Sequence, residues 1–126
     1  MTITQLADAT GVSKHTLRYY ERLGLIPLVG RDRSSGHREY RAEHEEWITF
    51  VRRLRESGMP IRELRAYARL VVRGDATWPA RREMLAAHRE RVAAQIAMLR
   101  GQLAILDKKL ALGCAPAGLG SVAARH

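Results

Sequence analysis

The chain has 126 residues, enough for one small globular domain with an extension and too short for two full domains. Lys and Arg number 22 against 13 Asp and Glu, a net charge of +9 that favours a polyanionic partner, most simply nucleic acid. One cysteine, Cys114, excludes an intrachain disulfide, no run approaches the roughly 18 apolar residues of a spanning helix, and the N-terminus opens on a polar helix signal; a cytoplasmic protein with no membrane partner is expected.

Thr2 can cap a short helix over about residues 3–9, with Leu6 and Ala7 turned inward. Gly11 supplies the positive φ of a tight turn. Ser13 then caps a second helix, about residues 14–23, which Gly24 closes. Ala7 sits where the two helices cross, and Val12, Leu17 and Tyr20 are available for their shared core, which is the helix-turn-helix pattern. Ser13, Lys14, His15, Thr16 and Arg18 fall on the first turns of the second helix, where a major-groove reader meets base edges. Tyr19 is placed to donate to a phosphate while Tyr20 points into the core, with the reverse assignment as the competing reading.

Residues 25–41 change character. Two short extended stretches flank the polar segment Ser34-Ser35-Gly36 and predict a β-hairpin whose arms carry Arg31, Arg33, Arg38 and Arg41. Arg31, Arg33, Arg38 and Tyr40 are suited to clamping phosphates beside the helix; a solvated charged hairpin is the competing reading. A third helix, about residues 42–57, opens on Glu43, Glu45 and Glu46 as the macrodipole prefers, and its apolar stripe is read as Trp47, Phe50, Val51 and Leu54. Ser57-Gly58-Met59 ends it, and Pro60 suits the first position of a fourth helix reaching about residue 73. Arg55 and the helix start Pro60-Ile61-Arg62 form either a second phosphate site, since free N–H groups and the dipole attract an anion, or a plain surface helix end.

Residues 74–77 are a linker. A continuous helix over residues 78–110 would be about 50 Å long. Leu85, Val92, Ile96, Leu99, Leu103, Leu106 and Leu110 recur at alternating three- and four-residue steps, apart from a seven-residue step across Arg89. This is a coiled-coil seam, and a second copy of the chain is its economical partner. Residues 111–126, rich in Ala and Gly, are expected to be a flexible tail. The fold class is therefore mainly α: a winged helix-turn-helix head over residues 1–75, a dimerisation helix over 78–110 and a tail.

Trp47, Phe50, Tyr67 and Trp78 are candidates for a small-molecule effector pocket between the head and the partner's long helix, with ordinary core as the competing use. His44 and His88 are too scattered for a metal and are expected to be solvated. No metal or cofactor is expected. No Gly-rich phosphate loop, paired acid motif or Ser-His-Asp set is present, so an enzyme is not expected. A basic nucleic-acid binder without sequence preference is the alternative to a specific regulator, and the hairpin beside a helix pair argues against it.

Three blocks carry a family resemblance. Ile3-Thr4-Gln5-Leu6-Ala7, Thr10-Gly11-Val12-Ser13, Thr16-Leu17-Arg18-Tyr19-Tyr20-Glu21 and Gly24-Leu25-Ile26 together resemble the N-terminal signature of MerR-family regulators. Gly36-His37-Arg38-Glu39-Tyr40 resembles the family's Gly-Tyr-Arg-x-Tyr wing, and Leu54-Arg55-Glu56-Ser57-Gly58-Met59-Pro60-Ile61 its joint before the fourth helix. The likeness runs from residue 3 to about 110. It implies a winged helix-turn-helix with an antiparallel dimerisation helix, and a homodimer on a pseudo-palindrome in an over-long promoter spacer. It also implies that an effector makes the dimer bend and undertwist this double-stranded DNA so that RNA polymerase engages both promoter elements.

The departures matter too. His37, still a candidate DNA contact, replaces the wing aromatic, so a phosphate contact by an aromatic hydroxyl is lost there. Metal-sensing relatives use at least two cysteines, and Cys114 alone cannot build such a site. The segment Trp47-Ile48-Thr49-Phe50-Val51-Arg52-Arg53-Leu54 is similar to the thiol- or aldehyde-responsive branch, with Arg53 where that branch carries its reactive cysteine. An effector-binding domain of the multidrug-responsive kind is not expected. Cys114→Ser should accordingly leave induction intact in a promoter reporter; a variant that no longer responds would make the tail the sensor.

Overall fold

The computed structural model describes residues 1–27, 30–31 and 38–113. The described chain is mostly helical: α1 (Ile3–Thr10), α2 (Lys14–Arg22), α3 (Ala42–Glu56), α4 (Ile61–Val72) and α5 (Trp78–Leu112), with a 3-10 turn at Asp75–Thr77. Gly30–Arg31 (β1) pairs antiparallel with Arg38–Glu39 (β2), Gly30 opposite Glu39 and Arg31 opposite Arg38. The connecting turn, with Arg33, Ser34, Ser35, Gly36 and His37, lies outside the described residues, as does Cys114. The chain divides into two compact units, one of Met1–His88 and one beginning at Arg89.

In the first unit, local capping sets where the helices begin. Thr2 Oγ1 accepts from the Gln5 N–H at 3.2 Å, and Gln5 Oε1 accepts from the Thr2 N–H at 2.8 Å, so each side chain satisfies the other residue's otherwise orphaned backbone donor. α1 ends at Gly11, whose φ of 73° is the left-handed turn anticipated there. The same residue meets a second constraint: a Cβ would lie 3.1 Å from Arg52 Nη1. Ser13 Oγ accepts from the Thr16 N–H at 3.1 Å and starts α2. In the linker, the Thr77 hydroxyl lies 2.7 Å from the carbonyl oxygens of both Leu70 and Gly74, between which its one proton is shared.

The core joins the first three helices to the start of α4. Leu6 from α1, Leu17 from α2, Leu25 after it and Ile48 from α3 are fully buried, with Val51, Met59 and Leu64 beside them. Here the stripe read on α3 is corrected in part: Val51 is buried as expected and Trp47 and Leu54 pack against the core, but the buried face is centred on Ile48. Trp47, Phe50 and Leu54 are only partly buried, while His44, Ile48 and Val51 are the buried residues. Those three recur at i, i+4 and i+7, one helical face. The largest side chains flank that face instead of forming it.

Both histidines expected in solvent are buried as well. His44 Nδ1 accepts from the Arg41 N–H at 2.9 Å, and its ring meets Tyr40 edge-on. His88 Nε2 lies 2.7 Å from Ser57 Oγ, which donates to the Leu54 carbonyl at 2.9 Å. Ser57 Oγ thus stands between the Leu54 carbonyl and the His88 ring. Each ring is admitted to the interior because a polar partner waits for it.

In the second unit α5 continues from Arg89 and closes at Gly113, with φ of 81°. Ile96, Leu99, Leu103, Leu106 and Leu110 are exposed, from 44% to 80%. Among the described residues no helix is long and apolar enough to cross a membrane. The position of the α3 core face gives a direct stability test. Ile48→Ala should cost about 2–5 kcal/mol of unfolding free energy, and Phe50→Ala distinctly less, as read by urea denaturation; equal losses would restore the aromatic stripe.

Candidate nucleic-acid interface

α2 is held by one face and open on the other. Leu17 is fully buried and Tyr20 is 7% exposed, whereas Ser13, Lys14, His15 and Arg18 are exposed and Thr16 is half-buried. Tyr19 is 43% exposed, with the Arg22 guanidinium 5.8 Å from its ring centroid. The assignment of Tyr20 to the core and Tyr19 to the surface thus matches their burial. Arg18 makes no hydrogen bond or ion pair among the described residues.

Tyr40 is the clear correction among the candidate contacts. It is 1% exposed, and its hydroxyl donates to the Glu21 carboxylate on α2. Its carbonyl accepts from the N-terminal ammonium at 2.6 Å, and its N–H donates to the Met1 carbonyl at 3.1 Å. A phenol enclosed and partnered in this way cannot reach a phosphate; it ties the end of β2 to α2. Arg31 and Arg38 are placed opposite each other in the β1–β2 pair. Arg33 and His37 lie outside the described residues.

Arg55 and Arg62 are both exposed. Arg55 Nη1 donates to the Met59 carbonyl at 3.3 Å, across the joint between α3 and α4. α4 follows Pro60 with no side-chain cap, leaving its first N–H groups open to an anion. Arg52 was not legible as a functional position in the sequence. Its Nη1 packs against the Gly11 turn, and its Nε lies 3.7 Å from Glu56 Oε1. α3 thereby braces the turn that sets the angle of α2. A glycine in the turn signals close approach but not what approaches.

Three of the four candidate pocket aromatics come together. The Trp47 and Tyr67 rings stack at 5.9 Å and 16°, and Phe50 lies 6.0 Å from the first and 5.9 Å from the second. Trp47 Nε1 donates to the Leu25 carbonyl at 2.6 Å. Trp78 stands apart and contacts Arg81, whose guanidinium is 5.3 Å from the Trp78 centroid and 6.0 Å from that of Tyr67. A cleft of about 220 Å³ is lined by Pro27, Arg41, Glu43, His44, Trp47 and Val71, so only Trp47 of the four borders it. That volume is below the roughly 300–1,000 Å³ of drug-sized sites. Among the described residues no group of three His, Cys, Asp or Glu side chains could hold a metal ion.

Two short helices joined by a glycine turn, the second presenting a basic face, define a helix-turn-helix protein. Comparison with known proteins narrows the class. The family model for the MerR HTH family regulatory protein matches residues 1–70, and that for MerR, DNA binding, matches residues 45–109. The chain belongs to the MerR family of helix-turn-helix transcription regulators.

The HTH-type transcriptional regulator AdhR of Bacillus subtilis is 45% identical over 86 residues, 68% of this chain and 61% of that protein. The chain therefore spans under two thirds of that relative's length. A crystal structure assigned to a MerR family transcriptional regulator of Listeria monocytogenes is similar with a TM-score of 0.82 and 38% identity, covering 87% of this chain and 83% of the other. HiNmlR, a MerR family regulator lacking the sensor domain and solved bound to promoter DNA, gives a TM-score of 0.80 at 33% identity, over 87% of this chain and 86% of its own.

Two substitutions separate surface from scaffold. Arg18→Ala should cost about 1–3 kcal/mol of DNA affinity in an anisotropy titration against an operator duplex; unchanged affinity at physiological salt would remove Arg18 from the interface. Tyr40→Phe should leave the salt dependence of binding untouched and lower unfolding stability by about 1–2 kcal/mol. A shallower salt dependence in that variant would return Tyr40 to the phosphates.

Proposed function

We propose that this chain is a sequence-specific transcription regulator acting as a homodimer on a pseudo-palindromic promoter site. The observation that carries the reading is the exposed basic face of α2, fixed from behind by Leu17 and Tyr20. Ser13, Lys14, His15, Thr16 and Arg18 read the major groove, and Tyr19 meets the backbone. Arg31, Arg33, His37 and Arg38 form a wing that clamps phosphates, and Arg55 and Arg62 bind a second stretch of backbone. The promoter complex of HiNmlR supports promoter DNA as the target.

Residues 1–75 are the reading head, residues 78–110 the dimerisation helix and residues 111–126 the tail. The seam of α5 pairs with its copy as an antiparallel coiled coil. Burial of each large apolar side chain contributes about 1.5–3 kcal/mol, and the seam in sum outweighs an association cost of roughly 4–15 kcal/mol. Twofold symmetry sets two α2 helices on successive major grooves, which calls for a palindromic site. An effector then biases the dimer toward bent, undertwisted DNA, on which RNA polymerase engages both promoter elements. The Trp47, Phe50 and Tyr67 group with Trp78 is the proposed place where that signal enters, in a cytoplasmic protein.

The dimer is tested by Leu99→Glu with Leu103→Glu. Sedimentation should show a monomer, and discrimination between operator and random duplex should vanish with it, although neither residue touches DNA. A double variant that stays dimeric and binds its operator would mean that the interface lies on another element.

A further inference from the structure

α4 carries a feature that its place beside the reading head does not require. Arg62, Arg65 and Arg69, with Arg73 as the helical C-cap, recur at steps of three, four and four residues. At 3.6 residues per turn they fall within an arc of about 80°. All four are exposed, while Leu64, Tyr67 and Ala68 on the opposite face are buried. Among the described residues none of the four guanidinium groups is in an ion pair. Glu63 is the one acid of α4 and lies off the stripe.

A face selected only for solvation and helix stability would alternate its charges. α3 does so at i, i+4, with Arg52 beside Glu56. α4 instead holds two like-charge i, i+4 pairs, Arg65 with Arg69 and Arg69 with Arg73, which destabilise an isolated helix. The macrodipole favours cations at the C-terminal end only, so it does not account for Arg62 or Arg65. A polyanion along the stripe resolves the repulsion at every position.

We infer that this stripe is a further DNA contact surface, taking backbone phosphates of one strand beyond those reached by α2 and the β1–β2 pair. The inference rests on the chain binding DNA. From Arg62 to Arg73 the stripe runs about 16 Å, while each strand of a duplex offers one phosphate per roughly 3.4 Å of axis. Four guanidinium groups of one sign match such a row. An acidic protein surface is the weaker fit, because protein interfaces draw on a buried apolar centre and the stripe supplies only guanidinium groups. The row also begins at Arg62, on the open first turn of α4, so it is continuous with the backbone contact proposed there.

The test is the salt dependence of binding for the triple variant Arg65→Gln, Arg69→Gln, Arg73→Gln, with two 60-bp duplexes as probes. One carries the sequence that the wild-type chain recovers by in vitro selection, the other a random sequence. The slope of log affinity against log salt should become shallower by roughly 2–3 for each chain bound, on both duplexes, with the preference between them unchanged. The Arg65→Lys, Arg69→Lys, Arg73→Lys variant should keep the wild-type slope, which separates lost charge from lost folding. A Gln variant with the wild-type slope overturns the inference. The same slope with reduced transcription from a reconstituted promoter also overturns it and assigns the stripe to an acidic protein. Failure of selection, or an Arg18→Ala variant of unchanged affinity, would count against sequence reading by α2; the slope on random duplex reads the stripe independently of both.

Discussion

A helix that must offer one whole face to a ligand can be held only by the other, and α2 shows what that demands. Leu17 meets Leu6, Leu25 and Ile48 in the part of the core where no surface remains exposed. From this packing follow the close turn at Gly11, the Arg52 side chain laid against it, and the Tyr40 hydroxyl on Glu21. Each restrains α2 from a different direction without occupying its outer face. Rigidity of this kind is what a base-reading surface needs, since preorganised contacts lose less freedom when they bind.

Local chemistry made the helix starts legible. Thr2 with Gln5 and Ser13 with Thr16 are self-contained signals, and the structure forms both. What went astray depended on residues far along the chain. On α3, Ile48 joins Leu17 and Leu6 in the buried cluster, while Trp47 and Leu54 pack against it partly buried. His88 reads as a surface residue until Ser57, thirty-one positions earlier, is seen to meet it. Tyr40 sits in a wing motif that suggests DNA, yet Glu21 claims its hydroxyl.

The aromatic group shows the same division. Trp47, Phe50 and Tyr67 stand on two helices that pack together, and their rings meet there. Trp78 follows the turn at Asp75–Thr77, and its ring meets Arg81 instead. Arg81 also donates from Nε to Thr77 Oγ1 at 3.0 Å, so a cation already sits beside the Tyr67 ring. The family resemblance carried the class of protein, while the contacts of these side chains depend on the packed fold.

The buried contact between Ser57 and His88 restricts how such a sequence can diverge. Exchange of the serine for alanine takes the hydroxyl from the buried His88 ring, whereas exchange of the histidine leaves the Ser57 hydroxyl still donating to the Leu54 carbonyl. The serine change is therefore the costlier of the two single steps. The order of change therefore matters: a route to two apolar residues that loses the histidine first never takes the hydroxyl away from a ring that is still buried.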